Sequence, residues 1–81
     1  APDDALIGQL IVKLLGDRGI AVPPDVPAFL VPRIERSHIA LLAIVDVLDS
    51  AMLSHHRRMT VAMAKMALEE TGMIGRAKDR G

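Results

Sequence analysis

Two arginines at the end of a predicted helix form the best candidate for a binding site. Arg33 and Arg36 lie three residues apart and precede Ser37, a good N-cap for the next helix. Guanidinium groups suit bidentate phosphate recognition, and a helix N-terminus adds N–H donors and the positive end of a dipole. The segment is therefore a candidate anion site. The alternative, which composition favours, is that Arg33 pairs with Glu35 or Asp25 and that Arg36 is solvated.

Metal binding and catalysis have weaker candidates. Asp46 and Asp49 lie at i, i+3 on a predicted helix and could share a cation, but acidic pairs on helices usually face water. The neighbours His55 and His56 point in different directions, and the chain has no Cys to complete a zinc site. The sequence has no phosphate-cradling glycine loop, no G-x-S-x-G elbow and no H-E-x-x-H motif. We therefore predict no metal site, no cofactor and no catalysis in this chain.

Two further features could contact another molecule. The basic pair Arg57 and Arg58 could touch a phosphate or an acidic protein surface, although short basic turns are common on neutral domains. A row of methionines on the last predicted helix is expected to be flexible core, and it would be a docking surface only if that helix is exposed. The row consists of Met59, Met63, Met66 and Met73.

The composition is typical of one small helical domain. The chain has 81 residues, of which 51% are hydrophobic and 25% charged, with ten basic and ten acidic side chains. One Phe and no Trp or Tyr cannot supply the aromatic faces that RNA-recognition sheets and oligonucleotide-binding barrels need. A net charge of zero disfavours autonomous DNA binding. Without Cys the compartment stays open, and a cytoplasmic location is the expectation.

No segment is expected to cross a membrane. The longest uncharged apolar run in a helical context, from Ile39 to Val45, stops at Asp46 and is far shorter than the roughly 20 residues that a span requires. The N-terminus, which begins Ala1-Pro2-Asp3, has no basic region and is not expected to be a signal peptide.

Apolar residues recur at helical spacing in four segments, which predicts an all-α fold, a small four-helix bundle. The domain is expected to occupy residues 1–72, and residues 73–81 are predicted to be a disordered tail. The predicted helices cover residues 4–18, 24–34, 38–54 and 60–71.

Local signals refine these helices. Pro32 should kink the second helix or end it near Val31, because proline lacks the N–H that a helix interior needs. Ser37 and Thr60 are expected to cap the third and fourth helices. The middle of the third helix is apolar on every face, so that helix is either the centre of the bundle or has lost a partner.

Five segments follow one another in an order that resembles a known family. The chain looks like the C-terminal lid subdomain of the DnaA and Hda family of AAA+ ATPases, and the similarity spans nearly the whole chain. The matching segments are Lys13 to Gly19, Val22 to Leu30, Arg33 to Ser37, Asp46 to Ala51 and Arg58 to Leu68.

The resemblance implies a helical lid that closes over ADP or ATP bound to an upstream P-loop subdomain, which its exposed flank contacts. In family members that keep it, the sensor 2 arginine lies three residues after the position of Arg36, where this chain has Ile39. Isoleucine cannot reach a phosphate, so Arg36 is the nearest alternative contact. The candidate nucleotide-binding positions are therefore Arg36, Arg33 and the sensor 2 position Ile39.

Within the family, the chain is more similar to short DnaA-related regulators such as Hda than to the initiator. The missing sensor arginine, the Asp-x-Leu-Asp run from Asp46 and the lack of a basic helix-turn-helix after Leu68 favour this interpretation. The resemblance then implies a lid whose parent pairs with nucleotide-bound DnaA and restrains chromosomal replication initiation, while the lid itself does no chemistry.

Two alternatives remain at this stage. The chain could be an autonomous helical DNA-binding or protein-interaction module, although zero net charge and an Ile- and Leu-lined third helix speak against DNA. It could also self-associate, because a lid severed from its subdomain exposes an apolar surface.

Overall fold

The computed structural model describes residues 3–55 and 58–74 and confirms the all-α, four-helix prediction. Within those residues the chain forms four α-helices and one turn of 3₁₀-helix, with no strand. The elements are α1 (Asp4–Gly16), α2 (Asp25–Leu30), the 3₁₀ turn (Val31–Arg33), α3 (His38–His55) and α4 (Val61–Glu70).

The first helix ends two residues earlier than its apolar period predicts. Gly19 has a φ of +79°, and the N–H of Ile20 donates to the carbonyl of Leu15 at 3.0 Å. The N–H of Gly19 donates to the carbonyl of Gly16 at 2.9 Å. These two bonds form a Schellman motif, which satisfies the last carbonyls of α1 and turns the chain toward α2.

The second helix ends where proline predicts. α2 stops at Leu30, and Pro32 lies in the 3₁₀ turn that follows, so the expected early end near Val31 is confirmed. A 3₁₀ turn suits this position because a proline cannot donate the hydrogen bond of a continuing α-helix.

The end of α4 corrects the predicted start of the tail. Gly72 has a φ of +76°, and the N–H of Met73 donates to the carbonyl of Leu68, which repeats the Schellman motif of α1. Met73 packs against the core and Ile74 is buried. These two residues therefore belong to the folded part, because the turn at Gly72 returns the chain to the core. Residues 75–81 of the predicted tail lie outside the described residues.

One hydrophobic core joins all four helices. Its centre is aliphatic, as expected for a chain with a single Phe, and α3 crosses it between α1 and α4. The side chains that are almost completely buried are Ile7, Ile11, Leu15, Val26, Leu30, Val45, Leu48, Met59 and Leu68.

By length and composition α3 is able to cross a membrane, with a mean hydropathy of 1.4 over 18 residues. The sequence prediction of no membrane span considered only the uncharged run before Asp46, which is shorter than the whole helix. The central helix of a folded domain meets the same criteria, and the inner face of α3 packs in the core. That inner face consists of Leu41, Ile44, Val45 and Leu48.

Both predicted caps are present. Ser37 Oγ accepts the N–H of Ala40 at 3.0 Å at the start of α3, and Thr60 Oγ1 accepts the N–H of Met63 at 3.1 Å at the start of α4. Each bond satisfies an N–H group that has no partner inside its own helix, so both helix starts are fixed by the residue that the sequence indicates.

Candidate functional site

Arg33 folds back on its own helix. Its guanidinium carbon lies 4.1 Å from the centroid of the Phe29 ring, and its Nη1 donates to the carbonyl oxygen of Phe29 at 2.6 Å. This cation–π contact and hydrogen bond replace the predicted pairing with Glu35 or Asp25. The sequence analysis missed this contact, and the signal that could have shown it is the i, i+4 spacing, because such residues meet on a helix face.

Arg36 forms an ion pair with Asp4 at the start of α1. Arg36 remains exposed, and both arginines of the candidate anion site have partners within the chain. Sequence reasoning missed Asp4 because the two residues are far apart in the chain and meet only when α1 packs beside α3.

Ile39, which the resemblance assigns to the sensor 2 position, is the most exposed large apolar side chain among the described residues, at 80%. It begins a line of side chains along the outer face of α3, at alternating spacings of three and four. We call this line the Ile39 stripe, and it consists of Ile39, Leu42, Asp46, Asp49 and Leu53. Its three apolar members are all exposed. α3 therefore has a core face and an outer face, on which Ile39, Leu42 and Leu53 stay exposed among the described residues.

The two carboxylates of the stripe bind the guanidinium of an arginine rather than a metal ion. Arg18, in the turn after α1, places Nη2 2.7 Å from Asp46 Oδ1 and Nη1 3.1 Å from Asp49 Oδ2. The hydrogen bond with Asp46 is the main cause that raises the pKa of Arg18 above its usual value, and the bond with Asp49 adds to it. The i, i+3 spacing, which had suggested a shared cation, therefore suits a bidentate guanidinium. Within residues 3–55 and 58–74, no cluster of three or more metal-ligating side chains occurs.

The ion pairs show how α1 and α3 lie together. Asp4 at the start of α1 meets Arg36 just before α3, and Arg18 after α1 meets the second half of α3. The two helices therefore run in the same general direction. Leu6, on α1, is also exposed, at 54%.

At the far end of α3, Arg58 lies between two surface grooves. One groove of about 400 Å³ lies along the start of α4, and a second of about 600 Å³ lies against the turn that follows α1. The first is lined by His55, Arg58, Thr60, Ala62, Met63 and Met66, and the second by Gly19, Ile20, Ala21, Val22, Pro23, Met52, Arg58 and Met59. His56, the neighbour of His55, and Arg57, the other member of the basic pair, lie outside the described residues.

The methionine row divides between core and surface. Met59 and Met63 are buried, in agreement with the predicted role as flexible core, and Met73 is half-buried against the same core. Met66 is exposed and lines the first groove. The exposed part of the row thus belongs to the Arg58 end of the molecule.

Comparison with known proteins gives one family match. A family model described as "Hda, lid domain" matches residues 9–68, which include all of α2 and α3 and most of α1 and α4. No curated protein and no solved structure gives a significant match. The family match covers well over half of the chain. The four helices of the structure lie within the matched residues or overlap them. The chain therefore belongs to the Hda lid-domain family.

Proposed function

We propose that this chain is the lid of a DnaA-related AAA+ regulator, and that it packs through the Ile39 stripe against the nucleotide-binding subdomain of its parent protein. The parent would pair with nucleotide-bound DnaA and favour hydrolysis there, which restrains replication initiation. The support is membership of the Hda lid-domain family together with an apolar outer face that the four helices leave uncovered.

The exposure of Ile39 is the observation that carries this proposal. An isoleucine that leaves 80% of its surface in water gains nothing for the isolated fold, whereas burial against a neighbouring subdomain would be favourable. Leu42 is exposed on the same face of α3, and the ion pairs of Arg18 with Asp46 and Asp49 join α1 to α3 within the stripe. The stripe thus combines apolar area with a fixed backbone, as an interface between subdomains requires.

In this proposal the lid closes over the nucleotide without binding its phosphates directly. ADP or ATP would be held by the parent's P-loop subdomain, and no arginine occupies the sensor 2 position of this lid. Arg33 and Arg36, the other candidate phosphate contacts, are bonded to Phe29 and Asp4. We expect calorimetry of the isolated chain with ADP to show no binding, and an affinity in the micromolar range would contradict this role.

The first test is the coding sequence upstream of Ala1, where we expect a G-x-x-x-x-G-K-[ST] motif after a strand pattern. A start codon directly before this region would instead support the autonomous helical module. The second test uses the full-length parent in an assay of ATP hydrolysis by DnaA. We expect Leu42→Ser to weaken the stimulation of hydrolysis, because it makes the packing surface polar.

Val12→Ser provides a matched control for Leu42→Ser. Val12 is exposed to nearly the same extent, 39% against 38%, but it lies on the side of α1 that faces Pro24 and Pro27. Unfolding temperatures of both variants check that neither has lost its fold. Equal activity of the two variants would contradict the assignment of the Ile39 stripe as the interface, and no stimulation by the unmodified parent would contradict the role toward DnaA.

A further inference from the structure

The Arg58 end of the molecule has the features of a second binding surface. The grooves on both sides of Arg58 are lined mainly by aliphatic and methionine side chains. Methionine adapts its shape to different apolar partners, and four of the five methionines in the chain line these grooves. They are Met52, Met59, Met63 and Met66.

The part of the sequence that surrounds Arg58 has basic but no acidic side chains. Arg58 is exposed and makes no hydrogen bond or ion pair with any residue in the ranges 3–55 and 58–74. The sequence has no Asp or Glu from residue 50 to residue 68, although the whole chain is neutral. An acidic group would therefore find an unpaired guanidinium between two apolar grooves, without a competing carboxylate nearby in the sequence.

The location separates this surface from Ile39 and Leu42, although Leu53 of the Ile39 stripe lies in the last turn of α3. Arg58 follows the C-terminal end of α3, and α3 is about 27 Å long, so Ile39 lies at the opposite end of the helix. The described chain also starts and finishes at that opposite end, since Asp4 pairs with Arg36 and Met73 shares a cavity with Glu35. A subdomain packed on Ile39 would leave the Arg58 grooves open.

We propose that the Arg58 end docks a short acidic and apolar segment of a partner protein. One carboxylate of the segment binds the Arg58 guanidinium, and apolar side chains before and after it enter the two grooves. The linings favour a peptide over a nucleic acid, because they offer one described arginine and a single histidine ring, His55, where a strand of bases needs several stacking faces and phosphate contacts. The groove linings share no residue with the Ile39 stripe, and the test uses the 81-residue chain alone.

The test is methyl NMR of the chain with ¹³C-labelled methionine. The probe is a synthetic peptide with two leucines on each side of a single aspartate, and the comparison peptide has lysine in place of the aspartate. We expect the acidic peptide to shift the methyl signals of the four groove methionines. Met73, which lies in the cavity beside Ala40 and Ala43 at the other end of α3, is the internal reference and should not shift.

Two variants separate a specific contact from general charge. Arg58→Gln should weaken binding of the acidic peptide by about tenfold, the effect of losing one charge-assisted hydrogen bond. Lys13→Gln removes the same charge from a residue that lines neither groove, and should leave the affinity unchanged. Unchanged chemical shifts of the other methionines in Arg58→Gln would show that the variant is folded.

Several outcomes would overturn the proposal. The first is equal binding of the acidic and lysine peptides, and the second is no shift at millimolar peptide. The third is an equal loss of affinity in Arg58→Gln and Lys13→Gln. If a short DNA duplex shifted the same methyls more strongly than the peptide, the surface would bind phosphates instead. If the methyls shifted with protein concentration alone, a second copy of the chain would be the occupant.

Discussion

Gly19 allows the chain to turn after α1, and Gly19→Ala is expected to destabilise the fold by about 1 kcal/mol. The φ of Gly19 is +79°, in the left-handed region where a Cβ comes too close to the following carbonyl oxygen. No heavy atom lies within 4 Å of the position that this Cβ would take, so packing adds nothing to the cost. In a domain of this size, about 1 kcal/mol lowers the unfolding temperature by roughly 4–8 °C.

Gly8→Ala is the matched control within the same helix. A Cβ at Gly8 would lie 3.6 Å from the Cβ of Pro27 and 3.7 Å from Cγ2 of Val31, which are ordinary contact distances. Alanine favours a helix interior by up to about 1 kcal/mol over glycine, so this variant should unfold at a higher temperature. Thermal unfolding followed by circular dichroism measures both variants. An unchanged or higher unfolding temperature for Gly19→Ala would refute the assigned left-handed turn.

Three further variants test the core, a cap and the ion pairs. Leu48→Ala should lower the free energy of unfolding by about 3 kcal/mol in urea titrations, since Leu48 is fully buried, and a loss below about 1 kcal/mol would contradict its central position. Thr60→Ala should cost about 1 kcal/mol in the same assay, and Thr60→Ser should recover most of it if the bond to the Met63 N–H is responsible. Arg18→Gln should lower the unfolding temperature at low salt and less so at about 1 M salt, whereas a salt-independent difference would point to packing of the arginine stem. Because the pKa of Arg18 is raised in the folded state, its contribution is present below the ordinary arginine range and is lost only as the pH rises through the raised value.

The sequence predicted those features that depend on local chemistry. Pro32 ended α2, and Ser37 and Thr60 capped α3 and α4, because each effect acts through the backbone within one helical turn. The exact ends of α1 and α4 were less predictable. A left-handed glycine closes a Schellman turn over several residues, and the apolar period continues through that turn up to Ile20 or Met73.

The candidate site was predicted in part. The lack of an arginine three residues after Arg36 is read from the sequence itself, whereas the exposure of Ile39 and the partners of Arg36 and Arg18 are seen only in the structure. Those ion pairs depend on how α1 packs beside α3, and a single sequence does not encode that relation in any local pattern. The i, i+3 spacing of Asp46 and Asp49 was the one available signal, and it indicated two carboxylates facing the same way without indicating their partner.

The ends of the described chain lie side by side, beside Glu35 and Arg36, and this has a mechanical consequence. A body attached at one end turns about that end, so a small change at the attachment becomes a larger displacement at its tip. With α3 about 27 Å long, a rotation of about 10° at the Ile39 end moves the Arg58 end by about 5 Å. If the chain packs on its parent subdomain as proposed, a small rotation at the Ile39 end would therefore produce a larger displacement at the Arg58 end.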